Sequence, residues 1–378
     1  MIYLDNSATT RPYDEVLDYM KVVGGEYFGN PSSLHKKGLE AERLVKKSRQ
    51  AIAKTLGCDE KEVYFTSGGS EANNFAIFGY LEANPRKGKH IITSKIEHPS
   101  VLECVKQLSK KGYKVDMVGV NENGTVDIKE FAELINEDTS LVSIMLVNNE
   151  TGALQPIEEI AGIIKGSGSL SVLHVDAVQG FGKVVVNPKK MGIGMLTMSS
   201  HKIHGPKGVG ALFVDSSTRI APLIYGGGQE SKLRSGTENV PGIAGFGLAA
   251  ELTASNMSEN YQKVKGLRNL FIERLSEIDR SKVILKDAVP YILSVSFDGV
   301  RAEVLLHCLE ERDIFVSTGS ACSSKKNVHS HVLKAMGLKP SEIEGAVRFS
   351  FSSVNTESDI NETISAIKDS LKLFGHRK

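Results

Sequence analysis

Four stretches of the chain carry residue types whose spacing could do chemistry. Thr66-Ser-Gly-Gly-Ser-Glu-Ala-Asn-Asn74 joins an apolar run to a helical pattern. Small residues there, Gly69 and Ser70 among them, leave backbone N–H groups pointing at an anion on the positive end of a helix. It is not a nucleotide-binding loop, because no G-x-x-x-x-G-K-[ST] occurs and no lysine follows the glycines. Taken alone, the same residues also describe a turn and a helix cap.

Leu173-His-Val-Asp-Ala-Val-Gln179 places one carboxylate, Asp176, at the C-terminal end of an apolar strand, the edge where open α/β sheets bind ligands. Such an acid commonly caps a helix or pairs with a base. Its other use is to hold a proton on a heteroaromatic nitrogen, as the pyridinium of pyridoxal phosphate requires. Lys202, in Leu196-Thr-Met-Ser-Ser-His-Lys-Ile-His-Gly205, follows a second apolar strand between hydroxylic residues and glycine. That position is poor for surface solubility and suits a Schiff base with an aldehyde cofactor. Cys322 sits in Ser317-Thr-Gly-Ser-Ala-Cys-Ser-Ser-Lys-Lys-Asn327, a small-residue polar stretch expected to form an exposed loop, with Lys325 and Lys326 favouring thiolate. Cys58, Cys104 and Cys308 lie near helical or apolar neighbours and are expected to be inert.

The elements that must position these residues follow from periodicity. Short β-branched or apolar runs, at 63–66, 90–93, 114–118, 141–147, 171–175, 195–198 and 209–214, alternate with helical patterns at 70–82, 100–111, 128–136 and 157–165. Alternation of this kind predicts βαβ units on a mostly parallel seven-stranded sheet. A long helical pattern from about 241 to 278 then leads to strands at 292–297, 314–317 and 346–351, a helix at 302–311 and a terminal helix from about 356. The expected architecture is α/β: a large domain over 21–250 and a smaller α+β domain over 251–378 carrying the Cys322 loop. Residues 1–20 are expected to pack with the smaller one, since termini often lie close together.

Composition limits the function. The chain has 378 residues and Lys+Arg 46 against Asp+Glu 45, so its formal net charge of +1 offers no general footprint for a phosphate backbone. Nucleic acid is not an expected partner. No run of apolar residues is long enough to span a membrane, and no basic region followed by an apolar stretch opens the chain, so a soluble cytoplasmic protein is expected.

Cradle, strand-end acid and strand-end lysine in this order resemble the fold-type I pyridoxal-phosphate enzymes of the class V aminotransferase group, and within it the cysteine desulfurases of the NifS and IscS kind. The resemblance covers nearly the whole chain. It includes Tyr3-Leu-Asp-Asn-Ser-Ala-Thr-Thr10, Gly29-Asn-Pro-Ser-Ser-Leu-His35, Ser94-Lys-Ile-Glu-His98, Val147-Asn-Asn-Glu150, Gly226-Gly-Gly-Gln-Glu230, Leu233-Arg-Ser-Gly-Thr237 and Ser317-Thr-Gly-Ser-Ala-Cys322.

The resemblance implies that Lys202 carries pyridoxal 5'-phosphate and Asp176 pairs with its ring nitrogen, while His98 stacks on the ring and assists proton transfers. It implies that Asn149 and Gln179 bond the ring and its phenolic oxygen. Gly69, Ser70, Ser199 and His201 would hold the phosphate, with Thr237 reaching it from the partner of a homodimer. Arg348, with Asn30 nearby, would clamp the carboxylate of L-cysteine, and Cys322 would take its sulfur as a persulfide, leaving alanine. A sulfur-acceptor protein, whether scaffold, carrier or tRNA-thiolation enzyme, would follow. Other readings of His98 and Arg348 are a helix cap and a buried pair.

Departures are few. Ser200-His201 stands where many relatives have Gly-His, a small-for-small change. His329 and His331 make a Cys-x6-His-x-His pattern with Cys322, but no fourth ligand is evident, so no metal is expected. The chain ends at Gly375-His-Arg-Lys378, where longer relatives carry an extension that docks an iron–sulfur scaffold, so delivery to such a scaffold is not implied. A selenocysteine lyase, a kynureninase or an aminotransferase would share the cofactor motifs. The Cys322 loop argues against the last two. Its sequence, unlike the Arg-x-Gly-His-His-Cys form of the selenium-preferring group, argues against the first. A non-catalytic binding module on this fold would have little reason to keep Lys202, Asp176 and Arg348 together.

Overall fold

The computed structural model describes residues 1–318 and 330–374. Its strands are β1 (Ile2–Tyr3), β2 (Val63–Thr66), β3 (His90–Ser94), β4 (Lys114–Val118), β5 (Thr139–Met145), β6 (Val172–Asp176), β7 (Met195–Ser199) and β8 (Gly210–Val214). They continue with β9 (Ser281–Val283), β10 (Ile292–Phe297), β11 (Ile314–Phe315), β12 (Ser317–Thr318) and β13 (Ala346–Ser350).

Seven strands form one sheet in the order β2-β8-β7-β6-β5-β3-β4. Only β8 runs against its neighbours, so β2 points the same way as the parallel strands although it sits at the far edge. Strands β3, β5, β7 and β8 are buried throughout, as their unbroken apolar and small-residue sequences require when helices cover both faces. Because six of the seven strands share a direction, the loops after β2, β3, β5, β6 and β7 all leave from one edge.

Helix Lys36–Leu56 and helix Val240–Ser255 pack closely under the sheet. A Cβ on Gly247 would lie 2.6 Å from the Ser48 Cβ, so only glycine permits this approach. Helix Val240–Ser255 is apolar on nearly all sides, and most of its residues are buried. The long helical pattern expected from 241 to 278 is in fact two helices, Val240–Ser255 and Met257–Leu275, broken at Asn256.

A second sheet, antiparallel in the order β12-β13-β10-β9, holds Arg348 in its interior, opposite Ser294 on one side and Ser317 on the other. The start of the chain ties the two sheets together. Strand β1 pairs in parallel with β11, and the Ser350 N–H donates to the Leu4 carbonyl at 2.7 Å. The boundary expected at residue 20 falls inside helix Asp14–Glu26, and the one at residue 250 inside helix Val240–Ser255.

Candidate active site

The shared edge brings the candidate groups together. Asp176, the last residue of β6, lies beside Thr197 of β7 and is 5% exposed. One carboxylate oxygen accepts the Val178 N–H at 3.0 Å, and the other accepts the Asn73 side-chain amide at 2.8 Å. Lys202 ends a single helical turn, Ser200–Lys202, directly after β7. Its amine donates to the carbonyls of Ser7 and, at 2.7 Å, Ala8. Gln179 also donates to the Ser7 carbonyl, at 2.9 Å, and its own carbonyl oxygen accepts from the Lys183 amine at 3.3 Å.

The N-terminal strap was not read from the sequence as part of this site. Thr10 accepts the His204 N–H at 2.7 Å through its hydroxyl and donates its own N–H to the His201 carbonyl at 2.9 Å. The Thr9 hydroxyl meets His201 Nδ1 at 3.2 Å. Backbone carbonyls carry no side-chain signal, so only the quoted motif at residues 3–10 pointed here.

The cradle after β2 has donors to offer. Helix Gly69–Asn74 starts immediately after Gly68, so its first N–H groups have no partners within the helix. A Cβ on Gly69 would come within 2.7 Å of Val178 Cγ2, which keeps that position bare. The Ser199 hydroxyl, 1% exposed and close by, has no hydrogen-bond partner among the described residues. A bare glycine, a helix start and an unpartnered buried hydroxyl fit a phosphate. Ser70 is exposed. The Glu71 carboxylate takes Arg234 at 2.7 Å, anchoring the Leu233–Thr237 segment next to the cradle, while Thr237 itself stays exposed.

Burial disfavours the charged form of two histidines at the site, His201 and His98. Burial pushes His201 down to about 4, helped by the charges of Lys202, Lys207 and Lys183. His98 caps helix Pro99–Lys110, its Nδ1 accepting the Ser100 N–H at 3.2 Å. The cap reading is therefore realised in a residue that also feels Asp176 and Lys202. Burial holds its pKa below the usual histidine range.

Arg348 is paired. It donates to Asp5 at 2.9 Å and to the Asn149 carbonyl at 2.8 Å, while its buried Nε has no partner among the described residues. A guanidinium has five N–H donors, so this pairing leaves capacity for a further carboxylate. Asn149 is half-buried. Asn30 lies on an exposed turn, its side chain accepting the Ser32 N–H at 2.9 Å, and no hydrogen bond joins it to Arg348 or Asp176 among the described residues. Cys322 and His329 lie outside the described residues. His331 Nε2 donates to the Glu97 carbonyl at 3.0 Å.

Glu97, fully buried beside this cluster, accepts the Ser94 hydroxyl at 2.6 Å and the Met145 N–H at 3.0 Å. Burial pushes its pKa up to about 8, and the Asp176 charge adds to the rise. The folded chain thus keeps this proton at pH values where the unfolded chain has lost it. Stability contributed by the neutral acid is present near pH 4.5 and is lost as pH rises toward 8. Glu97→Gln, isosteric and never ionised, is expected to match the wild type near the low end and exceed it at the high end by roughly 2–4 kcal/mol. Urea unfolding at both pH values checks this, and an equal gap at each would refute it.

The chain matches the Aminotransferase class-V family over residues 2–362. It is 42% identical over 370 residues to "Cysteine desulfurase IscS 1" of Archaeoglobus fulgidus, covering 97% of this chain and 96% of that protein. A "Cysteine desulfurase" of Nostoc sp. is 42% identical over 372 residues, 98% of this chain and 92% of its own length. Among solved structures, a "NIFS-LIKE PROTEIN" superposes with a TM-score of 0.93 at 40% identity, covering 98% of this chain and 99% of its own. A structure titled "SspA in complex with cysteine" does so with 0.84 at 34% identity, covering 94% and 100%. Matching along almost its whole length in sequence and backbone, the chain belongs to the class-V aminotransferase family of pyridoxal-phosphate enzymes.

Proposed function

We propose that this protein is a cysteine desulfurase, taking sulfur from L-cysteine and leaving L-alanine. The observation that carries the reading is the convergence of Asp176, Lys202 and His98 on one sheet edge, in a chain about 41–42% identical to relatives that bear this name. When bound, pyridoxal phosphate supplies an aldehyde carbon for an amine and a ring that stores the electron pair released at a substrate Cα.

Asp176, oriented by Asn73 and the Val178 N–H, holds a proton on the ring nitrogen. Gly69, Ser70, Ser199 and His201 hold the phosphate, and Asn149 and Gln179 the ring substituents. Lys202 would carry the cofactor through its amine and, when that amine is released, would be the base for the substrate Cα proton. Its amine leaves the Ser7 and Ala8 carbonyls to do so. Arg348 holds the substrate carboxylate while keeping Asp5, with Asn30 as a further substrate-binding residue nearby. The Cys322 thiolate attacks the substrate sulfur: the S–S bond forms as Cβ–Sγ breaks, and the bonding pair returns to carbon, which is protonated to alanine. One difficult cleavage becomes two steps, because the persulfide on Cys322 is discharged separately to an acceptor thiol.

The same proposal includes a homodimer, the cytoplasm and an acceptor that is a scaffold, carrier or tRNA-thiolation enzyme. Thr237, exposed at the end of the segment that Arg234 anchors, reaches the partner's phosphate, which makes both sites equivalent by two-fold symmetry. The chain divides into a larger cofactor-holding part and a smaller C-terminal part with Arg348 and Cys322, to which β1 adds itself through β11. No described helix is long and apolar enough to cross a membrane.

The decisive experiment supplies L-cysteine and a reductant to the purified protein. Equimolar sulfide and alanine, a persulfide mass on the Cys322 peptide and sedimentation as a dimer are expected. Alanine without sulfide, or sulfide with pyruvate instead of alanine, would overturn the assignment.

A further inference from the structure

His98 is joined to Asp176 by a short chain of hydrogen bonds through Asn73, which orients Asp176, and Ser100, which the proposed mechanism does not otherwise use. The Asn73 side-chain amide donates one hydrogen to Asp176 Oδ2 at 2.8 Å and the other to the Ser100 hydroxyl at 2.8 Å. Ser100 in turn faces His98 Nδ1 at 2.8 Å through its hydroxyl and at 3.2 Å through its backbone N–H.

The directions along this chain are determined by chemistry. Turned over, the Asn73 amide would press its oxygen against a carboxylate oxygen, so Asp176 dictates that nitrogen faces it. Asn73 Oδ1 is left buried without a partner among the described residues, the cost of that orientation. The Ser100 oxygen receives a hydrogen from Asn73 and keeps a second lone pair, so the direction of its contact with His98 Nδ1 is set by the backbone. The backbone N–H of Ser100 can only donate. Nδ1 therefore accepts from two donors, and the hydrogen of the neutral ring must sit on Nε2.

We propose that Asn73 and Ser100 are positioning residues which, under the orientation imposed by Asp176, lock His98 as its Nε2–H tautomer and close Nδ1 to protons. The proposal deepens the desulfurase reading and rests on His98 facing the cofactor there. It has a mechanistic consequence. Locked in this way the ring has no free lone pair, so it is a neutral stacking group and hydrogen-bond donor, and removal of the Cα proton falls to Lys202. One carboxylate thus serves two ends, the ring nitrogen of the cofactor and the tautomer of the histidine.

The charged and titratable groups that act on His98 are Asp176 at the end of β6, Lys202 after β7 and His331 at the start of helix His331–Ala335. Burial, Lys202 and His331 favour the neutral ring, and Asp176 opposes them. The two donors on Nδ1 add to the neutral side, because a proton there would meet the Ser100 N–H head on.

The test uses the full chain with 15N-labelled histidine, without and then with pyridoxal phosphate, and His98→Gln to assign the signal. Wild type is expected to show a pyrrole-type Nε2 and a pyridine-type Nδ1 in both forms. Ser100→Ala removes the hydroxyl donor and keeps the backbone N–H, so it is expected to weaken the Nε2–H preference and raise the midpoint of His98 by about one pH unit, as loss of one hydrogen bond of ordinary strength implies. Ser100→Thr, which restores the hydroxyl, should return both. Asn73→Ala, which frees the Ser100 hydroxyl to turn, should weaken the preference in the same direction. An Nδ1–H ring in the wild type, or Ser100→Ala with unchanged shifts and midpoint, would overturn the proposal. Either result leaves sulfide and alanine production intact if the desulfurase reading holds, so the two failures are distinguishable.

Discussion

Cys322→Ser is expected to reduce sulfide release from L-cysteine to background while cofactor binding and the spectral response to substrate remain. The expectation follows from the division of labour at the site. Asp176 and Lys202, on the sheet edge, handle the electron pair and the Cα proton, and neither touches sulfur in the proposed mechanism. A serine hydroxyl is a poor attacker of sulfur and cannot hold a persulfide. Cys58 and Cys104 are poor substitutes. Burial pushes the Cys58 thiol up to about 12 and that of Cys104 to about 11, so neither is a thiolate near neutral pH. Cys104 Sγ also donates to the Ser100 carbonyl at 3.0 Å within its helix. Replacing Cys58, Cys104 or Cys308 should leave turnover nearly intact, with a stability loss of about 1–2 kcal/mol where the side chain is buried. Sulfide production that survives Cys322→Ser and disappears with one of the other three would place the nucleophile elsewhere.

The elements most legible in the sequence were those with a single dominant signal. Strands β2, β4 and β10 fall within the bounds that their apolar runs predict, because turn residues frame β4 and β10 on both sides and β2 lies between the charged Glu60-Lys-Glu62 and Ser67-Gly-Gly69. The stretch 314–317 reads as one strand, yet it divides at Val316. Ile314–Phe315 pairs with β1, Ser317–Thr318 with β13, and a change of partner leaves no mark on the apolar pattern. Helix Lys36–Leu56 was not anticipated, although His35 caps its start and Gly57, at φ 68, ends it. Its buried face is made of alanine, serine and glycine as well as Val45, Ile52 and Leu56, so its apolar stripe is faint. The break at Asn256 is marked only by the cap-type pair Ser255-Asn256, and the helical pattern resumes directly after it.

At the site, the charged residues were legible and their supports were not. Asp176, Lys202 and Arg348 stand out because a charge at the end of, or within, an apolar strand demands a partner. Ser100 sits in the first turn of helix Pro99–Lys110, where a hydroxyl is expected as a cap whatever else it does, and Asn73 is one of two adjacent asparagines at the end of the short helix Gly69–Asn74. Asp5 is one acid in a motif of small residues, and nothing local says that Arg348 waits across the second sheet. Lys183 is the clearest case. A lysine after Gly-Phe-Gly reads as surface, but it is 7% exposed, its pKa is pushed down to about 7, and its amine faces Gln179 and the Tyr291 ring. Only the topology places it behind Lys202.

That neighbour sharpens the second large effect, expected for Lys202→Ala. Two lysines, Lys183 and Lys202, line one small cavity with Asn6, Tyr13 and Tyr291. By amine chemistry alone Lys183 is a credible rival, since burial and the Lys202 and Arg348 charges leave it partly neutral near pH 7. Position decides between them. Lys202 leaves the end of β7, one strand from Asp176, whereas Lys183 follows the Gly180–Gly182 turn and directs its amine at Gln179. Lys202→Ala should therefore lose both the covalent attachment and the base, lowering sulfide production by at least about 10²–10⁴-fold. Borohydride should then fix no pyridoxyl group to the chain, although the Gly69 and Ser199 donors still bind the cofactor by its phosphate. Lys183→Ala should keep the adduct and shift the absorbance only slightly, through its effect on Gln179. A pyridoxyl adduct at wild-type yield in Lys202→Ala would sink the assignment, and peptide mapping to Lys183 would show which amine the cofactor takes instead.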